Sequence, residues 1–423
     1  MYCDKSHYQQ FTPPFDIPDS WEWVRLGDVC DVARGGSPRP IKSYLTYRVD
    51  GINWIKIGDT EKDGKFINST KERIIPEGAL KSRLVHKGDF LLTNSMSFGR
   101  PYILNIDGCI HDGWLVISPI GNVFDKDFLY LLLSSEYAYY QFSEKASGSA
   151  VSNLNSDKVA ESIFPLPPLE TQRIIVRECE KLTSFAQTID NEKKDLEITI
   201  ALTKSKILDL AMQGKLVPQD PADEPAADML RRVNPKAKII TDNPHSWNIP
   251  NTWTWCQLGD IFQHNTGKAL NSSNRDGIEY EYITTSNVYW NRFELDDLKK
   301  MPFKKNELEK CTVRHGDLLV CEGGDVGRAA IWNLDRNIMI QNHLHRLRPI
   351  ANEIHIPLYY HVFRHYKDKD LIGGKGIALQ GFSSKSLHQL AIPLPPYNEQ
   401  KRIVAKIEEL YSVLDQIEAS LQS

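Results

Sequence analysis

Short apolar runs separated by polar turn residues recur along much of the 423-residue chain. Short runs rich in β-branched and aromatic residues, bounded by Gly and Asp, lie at 52–57, 89–93, 115–117, 280–284 and 317–320. Such runs are typical of β-strands. Helical spacing of Leu, Tyr and Phe is found in fewer stretches, at 127–142 and 356–365. The pattern therefore predicts domains that mix α and β structure.

Apolar residues repeat every seven positions after each of two Pro-Leu-Pro-Pro segments, at 165–168 and 393–396. Apolar residues recur there as in a coiled-coil seam. The seam positions are Ile175, Leu182, Ile189, Leu196, Ile200, Ile207 and Leu210 in the first stretch, and Ile403, Ile407, Leu410, Leu414, Ile417 and Leu421 in the second. Each seam needs an apolar partner, and we expect the two helices to pair antiparallel. The first helix alone would span roughly 60 Å.

These elements belong to an internal repeat. A Trp-containing segment that begins at Ile17 returns at Ile249, Gly-Asp-Phe-Leu-Leu at 88–92 returns as Gly-Asp-Leu-Leu-Val at 316–320, and Pro-Leu-Pro-Pro returns as well. The chain is thus a tandem of one unit, a globular domain followed by a helix. We expect the first domain at 1–165, a central helical spacer and linker at 166–245, the second domain at 246–392, and a C-terminal spacer helix at 393–423.

Composition narrows the class of protein. The net charge is −4, so the chain is not a basic protein that coats nucleic acid unaided. Its seven cysteines include no Cys-x-x-Cys pair, which favours reduced buried thiols over a disulfide framework or a zinc site. We find no membrane-spanning run and no signal peptide, and expect a cytoplasmic protein.

The motifs of common enzymes are missing. Three Pro-Pro segments imitate the base-binding loop of amino-methyltransferases, but each lacks the acidic or amide residue that would accept the target amine. No phosphate-binding loop, His-Glu-x-x-His pair or nucleophile elbow is present. His343 and His345 lack a third nearby ligand, so we interpret them as a polar pair on a strand. The sequence predicts a protein without catalytic residues, metal or cofactor of its own.

The repeat nevertheless has a recognisable form. The Trp-x-x-x-x-Leu-Gly-Asp opening, the Gly-Asp-(Leu/Phe)-Leu strand that leads to Gly-Arg, and the Pro-Leu-Pro-Pro helix start occur in both copies. Together with the central stretch 211–220, they resemble the specificity subunit of type I restriction-modification enzymes. The resemblance implies an α+β fold, in which two mixed α/β target recognition domains are separated by a long antiparallel two-helix coiled coil.

The same resemblance implies a function and partners. Each recognition domain would read one half of a bipartite, asymmetric target in double-stranded DNA. Two methyltransferase subunits would dock on the helices, joined by motor-nuclease restriction subunits, and S-adenosylmethionine would be bound by the methyltransferase subunits. A different class of protein, a two-domain scaffold that binds protein ligands across a coiled-coil spacer, stays open at this point.

The residues that we expect to contact DNA lie in two loop systems, placed equivalently by the repeat. They are Arg34, Ser37, Arg39, Lys56, Asn94, Ser95, Ser97 and Arg100 in the first domain, and Lys268, Thr284, Thr285, Ser286, Asn287 and Arg328 in the second. Arginine and asparagine form the bidentate pairs that distinguish guanine and adenine. Each of these residues could equally be a surface or capping residue, and each Gly-Arg pair could be a turn packed on its own domain.

Overall fold

A computed structural model describes residues 13–61, 64–94, 99–146, 154–269, 276–372 and 383–422. The chain divides into two compact units, residues 1–189 and 190–423. No helix in the described residues is long and apolar enough to cross a membrane. The position of Ser95 and Ser97, two of the expected DNA contacts, lies outside the described residues.

The first unit contains two five-stranded sheets and one strand pair. Its strands are β1 (Glu22–Arg25), β2 (Cys30–Arg34), β3 (Leu45–Thr46), β4 (Ile52–Ile55), β5 (Phe66–Ile67), β6 (Glu72–Ile74), β7 (Arg83–Val85), β8 (Phe90–Thr93), β9 (Pro101–Leu104), β10 (Gly108–Ile110), β11 (Trp114–Pro119) and β12 (Ile163–Leu166). The strand orders are β3-β6-β4-β10-β7, β2-β11-β8-β9-β5 and β1-β12. Its helices are α1 (Leu26–Val29), α2 (Pro76–Ala79), α3 (Lys126–Ser134), α4 (Glu136–Ala146), α5 (Ser156–Ala160) and the start of α6 (Leu169–Met212).

The second unit repeats this plan. Its strands are β13 (Thr254–Gln257), β14 (Phe262–Thr266), β15 (Ile278–Ile283), β16 (Val288–Tyr289), β17 (Arg292–Phe293), β18 (Lys299–Phe303), β19 (Thr312–Val313), β20 (Leu318–Cys321), β21 (Ala329–Ile331), β22 (Ile338–Ile340), β23 (Leu344–Pro349) and β24 (Ala391–Leu394). They form the orders β14-β23-β20-β21, β18-β15-β22-β19, β13-β24 and β16-β17. Its helices are α7 (Ala226–Val233), α8 (Leu258–Ile261), α9 (Lys305–Cys311), α10 (Ile356–Asp368), α11 (Ser384–His388) and α12 (Tyr397–Ser420).

The predicted α+β class, with two repeated domains and a long intervening helix, is confirmed. Each of the five predicted strand runs overlaps an observed strand, and the helical stretch at 356–365 lies within α10. The stretch at 127–142 is two helices rather than one, because the chain takes an extended conformation at Ser135, which ends α3. The repeat therefore extends from the sequence landmarks into the whole order of elements.

The Gly-Asp-Leu-Leu landmark marks the central buried strand of each domain. In β8, Phe90 and Leu92 join the core beneath helices α3 and α4, whereas Leu91 joins the core between the two five-stranded sheets. In β20, Leu318 and Leu319 divide between two cores in the same way. A strand covered on both faces needs apolar residues at every position. This explains why the landmark is a continuous apolar run.

Each domain is closed by pairing its first strand with its last. β1 pairs antiparallel with β12, with Trp23 opposite Pro165. β13 pairs antiparallel with β24, with Trp255 opposite Pro393. The Trp segment and the Pro-Leu-Pro-Pro segment, distant in sequence, are therefore the two halves of one structural element in each domain.

A glutamine at the equivalent position of each repeat explains why the helix that follows starts where it does. The buried Gln172 amide donates to the carbonyl oxygens of Pro167 and Val123, and its oxygen accepts from the amide of Asp125. Gln400 makes the same set of bonds, to Pro395 and Glu353 as donor and from His355 as acceptor. Each glutamine ties the extended Pro-Pro lead-in to a neighbouring loop, so the helix begins at a fixed place.

Helix α6 is a single helix of 44 residues, about 66 Å long. It contains neither Gly nor Pro and ends before Gly214, whose φ of +66° turns the chain out of the helix. The turns nearest its two ends are packed, as shown by buried Val176, Ile200 and Ile207. The middle of the helix is exposed.

The last turns of α6 pair antiparallel with α12 inside the second unit. Lys204 contacts the carboxylates of Asp415 and Glu418, both at 2.7 Å, and the Tyr411 hydroxyl donates to the Lys204 carbonyl at 3.0 Å. Ile207, Ile403 and Ile407 are buried together in one core. The seam predicted from heptad spacing therefore forms here.

The extent of this pairing differs from the expectation. Leu182, Ile189 and Leu196 are 68, 48 and 39% exposed, and Ile417 is 38% exposed. The physical reason is length, because α12 has 24 residues and its last turns already lie at Lys204. The other seam positions, Ile175, Leu210, Leu410, Leu414 and Leu421, are half-buried. Leu182, Ile189 and Leu196 thus lie on the exposed middle of α6.

Candidate nucleic-acid interface

The polar cluster of the first domain is built around Asp112, in the short loop between β10 and β11. The Ser37 hydroxyl donates to Oδ1 of Asp112 at 2.7 Å, and the Arg39 guanidinium lies 3.6 Å from Oδ2. The Asp112 carbonyl oxygen accepts from Arg34 Nε at 3.0 Å and from Asn94 Nδ2 at 2.8 Å. One loop residue thus gathers four of the residues expected to contact DNA.

The cluster leaves positive charge at the surface. The Arg39 side chain is 85% exposed, and Arg34 and Arg83 are also exposed. The hydrogen bond from Ser37 holds the pKa of Asp112 below its usual value, and burial of the carboxyl opposes this effect. Because the carboxylate is ionised at neutral pH, it accepts hydrogen bonds and attracts Arg39 but cannot donate a hydrogen bond, whereas Arg34 is bound by the Asp112 carbonyl oxygen.

A shallow groove of about 510 Å³ lies beside the cluster. Ser37, Arg39 and Asp112 line one part of it, and Trp54 and Lys56 line another. The Lys56 ammonium is 2.7 Å from Glu72, and both side chains are about one-third exposed. An exposed ion pair of this kind is weak, so the ammonium is free to exchange Glu72 for a phosphate oxygen.

A glycine lets β2 approach the Asp112 loop. A Cβ on Gly35 would lie 2.2 Å from the carbonyl oxygen of His111, which no side chain can tolerate. The Gly35 amide donates to the Trp114 carbonyl at 2.9 Å across the same contact. The first glycine of Arg-Gly-Gly therefore positions Arg34 against the loop.

Lys268, an expected DNA contact of the second domain, is turned into its own domain. Its ammonium contacts Glu307 at 2.7 Å and donates to the Pro302 carbonyl at 2.7 Å, and its side chain is only 9% exposed. The ammonium also lies over the Phe303 ring at 5.4 Å. The ammonium is thus engaged within its own domain, and the expected DNA contact of Lys268 stays a prediction. Glu307 is 39 residues away in sequence, so spacing could not reveal the pair.

The turn at 284–287 is largely occupied with its own structure. The Asn287 amide oxygen accepts from the Thr284 amide at 2.9 Å, and its nitrogen donates to the Glu294 carbonyl. The Thr284 hydroxyl lies 2.7 Å from that of Ser286, which is exposed. The equivalent turn of the first domain, 56–59, is capped in the same way by Asp59. Thr284 and Asn287 are thus capping residues, which leaves half-buried Thr285 and exposed Ser286 at the surface.

The Gly-Arg landmarks are turns packed on their own domains. Gly99 and Gly327 have φ values of +80° and +84°, a conformation that favours glycine. Arg328 donates to the Thr285 carbonyl at 2.8 Å and lies over the Tyr289 ring. Arg100 lies over the Tyr102 ring at 5.4 Å. The sequence left open whether each Gly-Arg pair contacts DNA or forms a turn packed on its own domain. The packed turn accounts for both Gly99-Arg100 and Gly327-Arg328.

Sequence reasoning did not single out Asp112, the centre of the first cluster. The loop that contains Asp112 belongs to none of the repeated sequence segments and carries no motif. The hydrogen-bond partners of Asp112 lie 18, 75 and 78 residues away in sequence. No three His, Cys, Asp or Glu side chains of the described residues come together as a metal site. The roles of the remaining residues in DNA contact stay predictions.

Comparisons with known proteins agree with this architecture. A sequence model described as "Type I restriction modification DNA specificity domain" matches residues 18–200 and 250–423. The specificity subunit of the type I restriction enzyme EcoBI from Escherichia coli is 26% identical over 96% of this chain and 82% of that protein. The EcoEI specificity subunit from Escherichia coli is 23% identical over 97% of this chain and 81% of that protein.

Solved structures show the same fold. The HsdS subunit from Thermoanaerobacter tengcongensis superposes with a TM-score of 0.62 at 22% identity, covering 97% of this chain and 92% of that one. The family model matches both repeats, each from its Trp-containing segment into the helix that follows. The chain therefore belongs to the family of type I restriction-modification DNA specificity subunits, which recognise DNA and are not themselves catalysts.

Proposed function

We propose that this chain reads a bipartite, asymmetric DNA target, one half-site with each domain. The observation that carries the proposal is the doubling of the domain, with the same closure and helix start in both copies and matching strand orders apart from one additional edge strand in each large sheet of the first copy. Two recognition domains can address major-groove segments about one helical turn, roughly 34 Å, apart.

The half-sites should be unlike. The first domain presents Arg34 and Arg39 around a carboxylate, whereas the corresponding part of the second domain has its lysine tied to Glu307. Guanine and adenine are read by different side chains, arginine for guanine and asparagine or glutamine for adenine. Different residues at equivalent places therefore support an asymmetric target.

The proposed partners are those that membership of the family implies. We propose that two methyltransferase subunits dock on the helices and hold the S-adenosylmethionine, and that restriction subunits join them in the cytoplasm. The exposed apolar stripe on α6, which includes Leu182, Ile189 and Leu196, supports a partner on this helix. With a net charge of −4, this chain would supply base contacts while its partners supply much of the phosphate contact.

We further propose that α6 sets the gap between the half-sites. Its uninterrupted helix supports this role, since an insertion there changes length without passing through a loop. Four residues inserted after Lys193 add about 6 Å, which corresponds to one or two base pairs at roughly 3.4 Å each. This position is preferable to the vicinity of Ile200, which is 3% exposed and packed in the second unit.

The experiment maps methylated sites in cells that carry the complex with either the original or the lengthened chain. We expect a gap longer by one or two base pairs, with both half-sites unchanged. The matched control replaces residues 191–194 by the same four residues without adding length, and should keep the original gap. An unchanged gap in the lengthened chain, or altered half-site bases, would contradict the proposal.

A further inference from the structure

The loop Gln341–Asn342–His343 occupies, in the second domain, the place of the Asp112 loop in the first. The Glu322 amide donates to the His343 carbonyl at 2.9 Å, as the Asn94 amide donates to the Gly113 carbonyl at 3.1 Å. The Leu344 amide donates to the Gln341 carbonyl at 3.1 Å, as that of Trp114 donates to the carbonyl of His111 at 3.2 Å. The two loops therefore share one backbone framework.

A glycine contact confirms the correspondence. A Cβ on Gly267 would lie 2.3 Å from the carbonyl carbon of Gln341, as one on Gly35 would lie 2.2 Å from the carbonyl oxygen of His111. The Gly267 amide donates to the Leu344 carbonyl at 3.0 Å. In both domains the end of a strand is pressed against the loop, which fixes the loop at the surface.

The side chains of the loop are those suited to reading a base. Gln341 and Asn342 are half-buried, and among the described residues neither side-chain amide has a hydrogen-bond partner. This distinguishes them from Lys268 and Asn287, whose side chains are hydrogen-bonded within the domain. The donors and acceptors of these two adjacent amides are therefore available to a ligand that displaces water from the loop.

A polar network that runs from exposed His343 to buried His345 lies beneath the loop. The Glu322 carboxylate lies 3.3 Å from His343 Nδ1 and 3.9 Å from His345 Nε2. His345 is fully buried, and its Nδ1 lies 2.9 Å from His264 Nε2. In the first domain, the strand positions that correspond to these two histidines are apolar, Leu115 and Val32. The second domain thus has a polar support for its loop that the first lacks.

We propose that Gln341 and Asn342 are adenine-reading residues of the second domain. The inference rests on the proposed function and specifies its chemistry. A side-chain amide accepts from the N6 amino group of adenine and donates to N7, so each amide can recognise an A·T pair in the major groove. The half-site read by the second domain therefore contains at least one A·T pair contacted by this loop.

The test selects DNA from a random duplex library with the full chain in complex with its methyltransferase subunits, and sequences what is bound. Gln341→Glu and Asn342→Asp preserve shape but replace the amide donor by an acceptor, which cannot donate to adenine N7. We expect each to lower preference for A·T at one position about 5- to 150-fold. Arg39→Ala should alter only the other half-site, which identifies the half read by each domain.

Asn337→Asp is the matched control, because it makes the same charge change at an exposed residue beyond the opposite end of β22. It should leave both half-sites unchanged. If the original chain selects no two-part motif, the proposed function fails and this inference with it. If the original motif appears but both loop variants select it unchanged, or change only a G·C position, this inference alone is overturned. Thermal unfolding of each variant is measured as well. If one loop variant does not fold, the DNA selected by the other loop variant tests the inference.

Discussion

Replacing Ile407 by alanine tests whether α12 pairs with α6 in solution. Ile407 is fully buried and shares a core with Ile207, Leu208 and Ala211 at the end of α6. The same core contains Tyr359 and Phe363 of α10, which packs against α12. Residues of three helices thus share this core, which limits how far it can collapse around a smaller side chain.

The size of the effect follows from this burial. Truncating a buried isoleucine to alanine costs about 2–5 kcal/mol, and the poor ability to collapse places Ile407→Ala in the upper half of that range. Ile417 belongs to the same predicted seam but is 38% exposed. Ile417→Ala should cost less than about 1 kcal/mol, because little apolar surface is withdrawn from water there.

Hydrogen exchange of the full chain, followed by mass spectrometry, measures both effects locally. Each 1.4 kcal/mol corresponds to roughly tenfold faster exchange from the opened state, so Ile407→Ala should accelerate exchange in peptides covering 200–212 more than a hundredfold. Ile417→Ala should change the same peptides less than about tenfold. Equal effects of the two substitutions, or unchanged exchange in 200–212, would refute the helix pairing.

Three further predictions concern stability and activity. Asp317→Ala should destabilise the second domain by about 1–3 kcal/mol in denaturant unfolding, because Arg348 loses two contacts of 2.7 Å to buried Asp317 and keeps Glu309 at 3.5 Å and the Thr312 carbonyl at 3.3 Å. The equivalent Asp89→Ala, which loses one serine contact at 3.2 Å, should cost less. Burial lowers the pKa of His361 to about 4. Between pH 6.5 and 4 the unfolded state therefore binds a proton that the folded state does not bind. The free energy of unfolding should decrease as the pH falls through this window, by up to about 3 kcal/mol. His361→Gln should flatten this part of the stability curve, and an unchanged curve would show that His361 is not buried. Finally, purified chain free of partners should transfer no methyl group from S-adenosylmethionine to DNA, and label incorporated under those conditions would contradict the non-catalytic assignment.

The elements of the fold were predictable because they depend on local pattern. The continuous apolar runs at 89–93 and 317–320 indicate strands that are covered on both faces. The internal repeat shows which segments of the two domains correspond. Heptad spacing likewise predicted the buried Ile207 and Ile403. It could not show that the last turns of α12 reach only Lys204, because spacing records which face is apolar and not what lies against it.

The site was less predictable because it is assembled from distant residues. Arg34, Ser37 and Asn94 were identified by residue type, but Asp112, which joins them, lies in a different loop. Lys268 has the residue type of a DNA contact and the surroundings of a structural ion pair. Only the three-dimensional contacts separate those two cases.

The closure of each domain by its first and last strands has a consequence for synthesis of the chain. Glu22 pairs with Leu166, about 140 residues later, so the contact that completes the first domain is among the most non-local in it. Such contacts form late and slowly. A nascent chain therefore holds an unpaired β1 until β12 has left the ribosome, and the helix start that follows β12 is the first point at which this domain can be complete. Because β12 precedes α6 directly, the first domain can close while the second is still being translated.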